Sequence, residues 1–261
     1  SSIAFGIPGI LMLIATYLFW IGRSTFIHVP PKGVEFLKDV FSSEGIKSIL
    51  NLSVIYIFVA VFWSLFDQTG STWVLQAEKL DRYWLGINWY SSQIQAINPI
   101  MILFFVPLFS YLVYPFLNRY IVLTPLKKIS AGLFLAVPSF LIIGKVEQWI
   151  LIGHEPSIAW HVLAYTILTA SEVLISITCL EFSYTQAPRS MKSLIMGLFL
   201  LSVSLGNIIT AIINNFILDD SSIINSVSYY YLFSFMMFLT ALLFLFVVKF
   251  YKGRLYLHME K

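Results

Sequence analysis

The stretch Phe62-Trp63-Ser64-Leu65-Phe66-Asp67-Gln68-Thr69-Gly70-Ser71-Thr72-Trp73 sets a carboxylate in the middle of a hydrophobic run long enough to cross a bilayer. A charge at that depth is expensive, so acids inside spans face a bundle interior or a wet cavity and mark paths for protons, ions or solutes. A second acid, Glu172, stands in an equally apolar run much further along the chain. Two such acids in one multi-spanning chain are the equipment of a machine that moves protons, ions or charged solutes.

Working outward, the composition excludes an ordinary soluble domain: 59% of residues are hydrophobic, 11% are charged, and mean hydropathy is +0.85. Runs of about 20 apolar residues match a hydrocarbon core of roughly 30 Å at helical rise. Seven are read, at 3–21, 50–77, 94–118, 129–150, 157–182, 191–217 and 228–250. Backbone groups in lipid need partners within the protein, and runs this long and this uniformly apolar are helices, not barrel strands.

The net charge of +3 matters less than where the basic residues fall. Arg23, Lys32, Lys38, Lys47, Arg119, Lys127, Lys128, Arg189, Lys192, Lys249, Lys252, Arg254 and Lys261 lie on one side of the expected topology. Only Lys79, Arg82 and Lys145 lie on the other. The positive-inside rule then puts residues 23–49 and the C-terminal tail in the cytoplasm. Basic residues scattered through short loops make no nucleic-acid surface. The single cysteine, Cys179, allows no intrachain disulfide. The chain opens on Ser-Ser without a charged n-region or a small-residue cleavage site, which argues against a signal peptide and for a fragment.

After the first span comes a linker with Pro30-Pro31, mixed charges and a short amphipathic segment at Val34–Phe41, suited to the membrane surface. One span, a longer cytoplasmic linker and six closely spaced spans match the end of one six-helix half plus the whole second half of a twelve-helix transporter. The expected division is 1–22 for the last helix of an N-terminal half and 23–49 for the cytoplasmic linker. Residues 50–251 then form the C-terminal six-helix half, and 252–261 a cytoplasmic tail. Gly70, Pro99, Pro107, Pro115, Pro138, Gly197 and Gly206 interrupt the spans; they either break helices at a cavity or reflect the frequency of Gly and Pro in membrane helices.

Trp63 and Asp67 are one helical turn apart on one face, where an acid can hold a cation or proton and an indole can pack an apolar group. The competing role for Asp67 is a purely structural ion pair, for which these spans offer no basic residue. Glu172 lies about 22 Å into its span at helical rise, near mid-depth. With no Lys or Arg at that level, its protonation answers to burial, or its partner is a ligand or a helix outside this chain. Glu181, ahead of Tyr184 and Pro188, suits an interfacial or gating place. Asn98 can serve a ligand or an interhelical hydrogen bond. Asn207 can line the cavity, although close packing at Gly206 is the stronger expectation. His161 is expected near the outer membrane edge and His154 in a loop, and neither belongs to a metal-ligand cluster. HExxH, P-loop, dinucleotide and Ser/His/Asp patterns are absent from the sequence, which points away from a membrane enzyme and from ATP-driven transport.

Phe62–Ala77 (FWSLFDQTGSTWVLQA), Gln95–Pro99 (QAINP) and Glu172–Asn207 (EVLISITCLEFSYTQAPRSMKSLIMGLFLLSVSLGN) resemble the proton-coupled oligopeptide transporter family (POT/PTR2) of the major facilitator superfamily. The similarity runs from the family's sixth helix through its twelfth. FWxLFDQxGS and LEFSYxQAP are its specific motifs, worded most like the animal branch. That branch carries a large extracellular domain where only about residues 151–156 stand here, so a bacterial member of the animal-like type fits best.

The resemblance implies an all-α integral membrane fold: seven transmembrane helices, helix 6 plus the C-terminal half. It also implies proton-coupled symport of di- and tripeptides by alternating access, with protons as coupling ion and no other cofactor. The partners implied are the peptide, protons, membrane lipid and a missing N-terminal six-helix half, and not nucleic acid. Glu172 matches the acid that receives the peptide's amino terminus, and Asn98 the amide beside it. Trp63 matches a pocket tryptophan, and Asp67 an acid of gating and proton coupling. Phe199 stands where many relatives have tryptophan, keeping the aromatic wall without the indole N–H. The ExxER motif and the carboxylate-binding basic residues belong to the half that is absent. Nitrate or a drug as substrate, or a non-transporting fragment, are the alternatives.

Overall fold

The computed structural model describes residues 2–26, 33–219 and 226–251. They fall into two units, Ser1–Lys38 and Asp39–Lys261. The expected tail at 252–261 and the Pro30-Pro31 step lie outside the described residues.

In the first unit, α1 (Ser2–Gly22) ends where Gly22-Arg23 was expected to end it. The Arg23 guanidinium sits 4.5 Å from the Trp20 ring centre, a cation against an aromatic face at the helix end. Its apolar stretch, Gly6–Gly22, is shorter than those of the other spans. Among the described residues, six helices are long and apolar enough to cross a membrane, and α1 is the shorter seventh. The helix α2 (Val34–Val40) buries none of its residues, which suits the surface segment expected at 34–41.

The second unit begins with α3 (Ser43–Phe66), which starts well before the expected position 50. Ser42 Oγ accepts the Gly45 N–H at 3.0 Å, and Glu44 stands in the first turn. Hydropathy marks where the apolar stretch begins, whereas the cap marks where the helix begins. The same span then breaks: Asp67–Gly70 is a 3-10 turn, Ser71 leaves helical geometry at φ −128 and ψ −87, and α4 (Thr72–Ala77) resumes. The next connection is a hairpin, β1 (Tyr83–Trp84) paired antiparallel with β2 (Ile87–Asn88). Its two-residue turn puts Leu85 and Gly86 at φ 54 and 77, values that suit Gly86 but not Leu85.

The third span runs through a 3-10 turn at Ser91–Ala96, α5 (Ile97–Leu108), a π-helical turn at Phe109–Val113 and α6 (Tyr114–Asn118). Pro107 and Pro115 bracket that π turn, each removing a backbone donor from the ladder. Then α7 (Pro125–Leu151) opens with Pro125 just after its Thr124 cap. The fifth span comprises α8 (Ala159–Glu172), a π turn at Val173–Ile177 and α9 (Thr178–Gln186), which stops before Ala187-Pro188. Two long helices close the unit, α10 (Lys192–Asp219) and α11 (Ser226–Phe250).

Leu52, Ile55, Val59, Phe62 and Leu65 form a buried stripe of helical period on α3. Leu133, Ala136, Phe140 and Ile143 answer it from α7 within one continuous core. Burial ranks the spans: 56% of the most apolar window is buried in Pro125–Leu151 and in Ala159–Gln186, but 6% in Ser91–Asn118. The first two are therefore the centre of the bundle. The last leaves Leu103, Phe104 and Leu112 exposed.

One glycine contact fixes the distance between α3 and α10. A Cβ on Gly206 would lie 2.5 Å from the Ala60 carbonyl oxygen and 2.8 Å from both the Ser64 nitrogen and Trp63 Cβ. Two of these are backbone atoms and cannot rotate away, so the helices approach closely only because residue 206 has no side chain, as the sequence led us to expect. In the full-length protein, Gly206→Ala is expected to cost about 1–3 kcal/mol from overpacking. Gly197→Ala, on the same helix with nothing within 4 Å, is expected to be neutral or to stabilise by up to about 1 kcal/mol. Thermal unfolding of both variants checks the contrast.

Candidate functional site

Where the first long span breaks, Asp67 is the first residue of the 3-10 turn and is half-buried. Its carboxyl is hydrogen-bonded by the Asn207 amide from α10, the residue after the close-packed Gly206. Glu172 is the last residue of α8, directly before the π turn at Val173–Ile177. A π turn adds a residue without adding a turn, so it rotates the helix before it relative to the helix after it; such insertions recur at functional sites. Asn98, two residues into α5, donates its Nδ2 to Glu172 Oε2 at 2.7 Å and to Thr169 Oγ1 at 3.1 Å. Thr169 and Glu172 are three apart on one helix face, so a single amide reads both.

The two carboxyls are close enough to interact electrostatically. Among the described residues, no Lys or Arg side chain bonds either one. Amides therefore hold both acids in place without neutralising them. That pair of half-buried acids can bind a cation, an ammonium group or a proton.

The other expected site residues distribute unevenly. Trp63, half-buried one turn from Asp67, stacks edge-on against Phe62 and Phe66, each at 5.4 Å between ring centres. Its indole Nε1 is buried and bonded to nothing among the described residues. Phe199 is almost fully buried against Tyr56, with ring centres 6.0 Å apart. Tyr56 is three turns before Asp67, so Phe199 belongs to a different layer from the two acids. Glu181 is exposed on α9 and interacts electrostatically with Tyr114, whose hydroxyl pairs with Thr178.

His161 stands in the first turn of α8, at the end of the span where it was expected, but it is fully buried beside α4, with Nε2 2.7 Å from Gln76 Oε1. Gln76 Nε2 donates in turn to Glu147 Oε2 at 2.6 Å and to the Ile143 carbonyl at 3.2 Å. Sequence reading passes over Gln76 and Glu147. The signals for them are Gln76 three residues after Trp73, on the face that α4 buries, and Glu147 as an acid inside the apolar run 129–150. Asn207 has a place at the cavity on sequence grounds, but its hydrogen bond to Asp67 is not legible there, because the partners are far apart in sequence.

The profile of the POT family (PTR2) matches residues 37–232. Among curated proteins, Peptide transporter 3 of Caenorhabditis elegans is 34% identical over 179 residues, covering 56% of this chain and 26% of that protein. Peptide transporter PTR2 of Saccharomyces cerevisiae is 33% identical over 186 residues, covering 66% of this chain and 30% of that protein. The matched stretch thus spans less than a third of either relative. The solved POT family transporter PepTSo superposes with a TM-score of 0.80 at 27% identity, over 96% of this chain and 65% of that one.

Removing the amide that reads Glu172 tests the site's construction. Asn98→Ala leaves the carboxyl and Thr169 without their common donor, and is expected to destabilise the full-length protein by about 1–3 kcal/mol. Asn98→Ser, which retains a donor at shorter reach, is expected to recover part of that loss in thermal unfolding.

Proposed function

The chain belongs to the POT family, and from that premise we propose that it forms the last helix of the N-terminal half and the C-terminal half of a proton-coupled symporter for di- and tripeptides. It is a multi-pass integral membrane protein. In the proposed arrangement it sits in the cell membrane with its C-terminus cytoplasmic, and it catalyses no chemical reaction. Residues 1–22, 23–49, 50–251 and 252–261 serve as last helix, linker, transporter half and tail.

The carrying observation is the pair of uncompensated acids, Glu172 held by Asn98 and Asp67 held by Asn207. A peptide's ammonium group supplies the positive charge that Glu172 lacks. The half-buried Trp63 offers an apolar wall to a peptide side chain one turn from Asp67, and Phe199 supports a neighbouring layer. The absent half supplies the basic groups for the peptide carboxylate. Asp67 occupies the start of a break in a spanning helix, so a change in its protonation alters a contact between α10 and the end of α3. That is the kind of local electrostatic event that biases a two-state element.

Two measurements test this reading in the full-length transporter. Glu172→Gln keeps the shape and removes the charge, and is expected to lower kcat/KM for a dipeptide by about tenfold or more, the worth of a charge-assisted hydrogen bond. Undiminished uptake at limiting and saturating peptide removes the amino-terminus role. Asp67→Asn is expected to leave folding and counterflow of peptide largely intact while abolishing accumulation driven by an inward proton gradient in proteoliposomes. A variant that still concentrates peptide as well as wild type makes Asp67 a structural acid.

A further inference from the structure

Polar attachments from α7, α8 and α11 converge on the break at Asp67–Ser71 and the short segment beyond it. Tyr165 OH from α8 donates to the Thr69 carbonyl at 3.0 Å, and Tyr230 OH from α11 donates to the Thr72 carbonyl at 3.4 Å. At the far end, Gln76 joins Glu147 on α7 to His161 on α8. Gln76 is 2% exposed, Glu147 4% and His161 0%, so this is a buried chain rather than a surface contact.

The amide can serve only one orientation here. Its nitrogen donates to Glu147 and to the Ile143 carbonyl, so its oxygen faces His161 and accepts the Nε2–H. The other imidazole nitrogen, Nδ1, is buried without a partner among the described residues. Trp73 lies edge-on to the imidazole at 5.9 Å and to Tyr165 at 4.9 Å, closing the chain off with an apolar ring. Bulk stability does not call for this arrangement, because a well-packed apolar replacement of a buried polar pair is often as stable or more so. Polar bonds add direction, and α4 needs it. A helix of six residues, cut off by the break, has too few internal bonds to hold its own position.

We propose that the Glu147–Gln76–His161 chain is a latch that clamps α4 to α7 and α8, so that the first long span pivots at Asp67–Ser71 instead of bending along its length. Glu147, Gln76 and His161 are positioning residues; they act on Asp67 through the helix that comes after it. In the orientation proposed for the transporter, α4 is the outer part of that span. The latch makes it move with the α7–α8 pair while α3 stays packed on α10 at Gly206. The latch depends on the transporter reading only for its effect on turnover.

The test combines hydrogen–deuterium exchange with transport, on the full-length protein in nanodiscs and proteoliposomes. Gln76→Ala is expected to speed exchange of the amides in 72–77 by about tenfold or more, as loss of a buried bonding partner does. The paired exchange Gln76→Glu with Glu147→Gln rebuilds an amide–acid–imidazole chain with one carboxyl, and is expected to return exchange close to wild type. His161→Phe keeps a ring beside Trp73, removes only the Nε2–H, and reports the same segment if Gln76→Ala does not fold. Unchanged exchange in 72–77, equal acceleration in every span, or no recovery in the paired variant overturns the latch. In uptake, the latch predicts that Gln76→Ala lowers kcat about fivefold with KM for peptide changed less than about twofold, because the three buried residues act on the pivot and not on the acid proposed to receive the peptide. A fallen affinity with kcat intact overturns the pivot. Wild-type protein that shows protected 72–77 amides but takes up no peptide defeats the transport reading and leaves the latch standing.

Discussion

Inside a bilayer every backbone carbonyl and amide must find its partner within the protein, and the break at Asp67–Ser71 is where that demand is hardest to meet. An uninterrupted helix satisfies itself. Here the carbonyls around the break are answered from elsewhere: Thr69 by Tyr165, Thr72 by Tyr230, Ser64 by both Gln68 and Thr210. Three neighbouring helices therefore take part in holding one interruption. Their side chains are placed by their own packing, so the position of Asp67 depends on α8, α10 and α11 as much as on its own span. Losing the Tyr165 hydroxyl removes the side-chain donor that the Thr69 carbonyl has within the break, in a medium poor in water to replace it.

The same accounting explains why amides hold the acids. A basic partner would neutralise Asp67 or Glu172 permanently and close it to a ligand. Asn98 and Asn207 fix the geometry of each carboxyl and leave its charge available, at the cost of keeping two like charges within interaction range. Like charges repel, so a cation or proton taken up at one carboxyl would ease ionisation of the other.

The sequence made the spans legible because apolar length is a local property and the bilayer thickness fixes it. It also made legible the two acids inside the spans, the place of Trp63 one turn before Asp67 and the close approach at Gly206, each of which comes from spacing along one helix or from the cost of a charge in lipid. Helix starts were less legible, since the Ser42 cap on α3 lies outside the apolar run. The two π turns left no mark in periodicity, because one added residue shifts a face by less than the scatter of hydrophobic positions. The least legible features were those that join distant segments. Thr169 and Gln76 look ordinary in the chain, Glu147 is an acid so near the end of the 129–150 run that it reads as interfacial, and His161 reads the same way, because a residue beside a loop carries no sign of whether its neighbours bury it.

The distinction between packing residues and functional residues is weak in this half. Gly206 carries no chemistry, yet its missing side chain lets α10 come close enough for Asn207 to reach Asp67. Gly132 does the equivalent for the second acid. A Cβ there would meet Leu174 Cβ and the Ser171 carbonyl oxygen at 3.1 Å, and Ser171 Oγ donates to the Gly132 carbonyl at 2.8 Å. Those residues flank Glu172 and the start of its π turn. Each acid is therefore set in depth and direction by a glycine on a facing helix. A spacing error of a few tenths of an ångström at either glycine moves a carboxyl relative to its amide, where a hydrogen bond of 2.7 Å has little slack. Site geometry here is a consequence of helix separation, and helix separation is decided at glycines that carry no chemistry of their own.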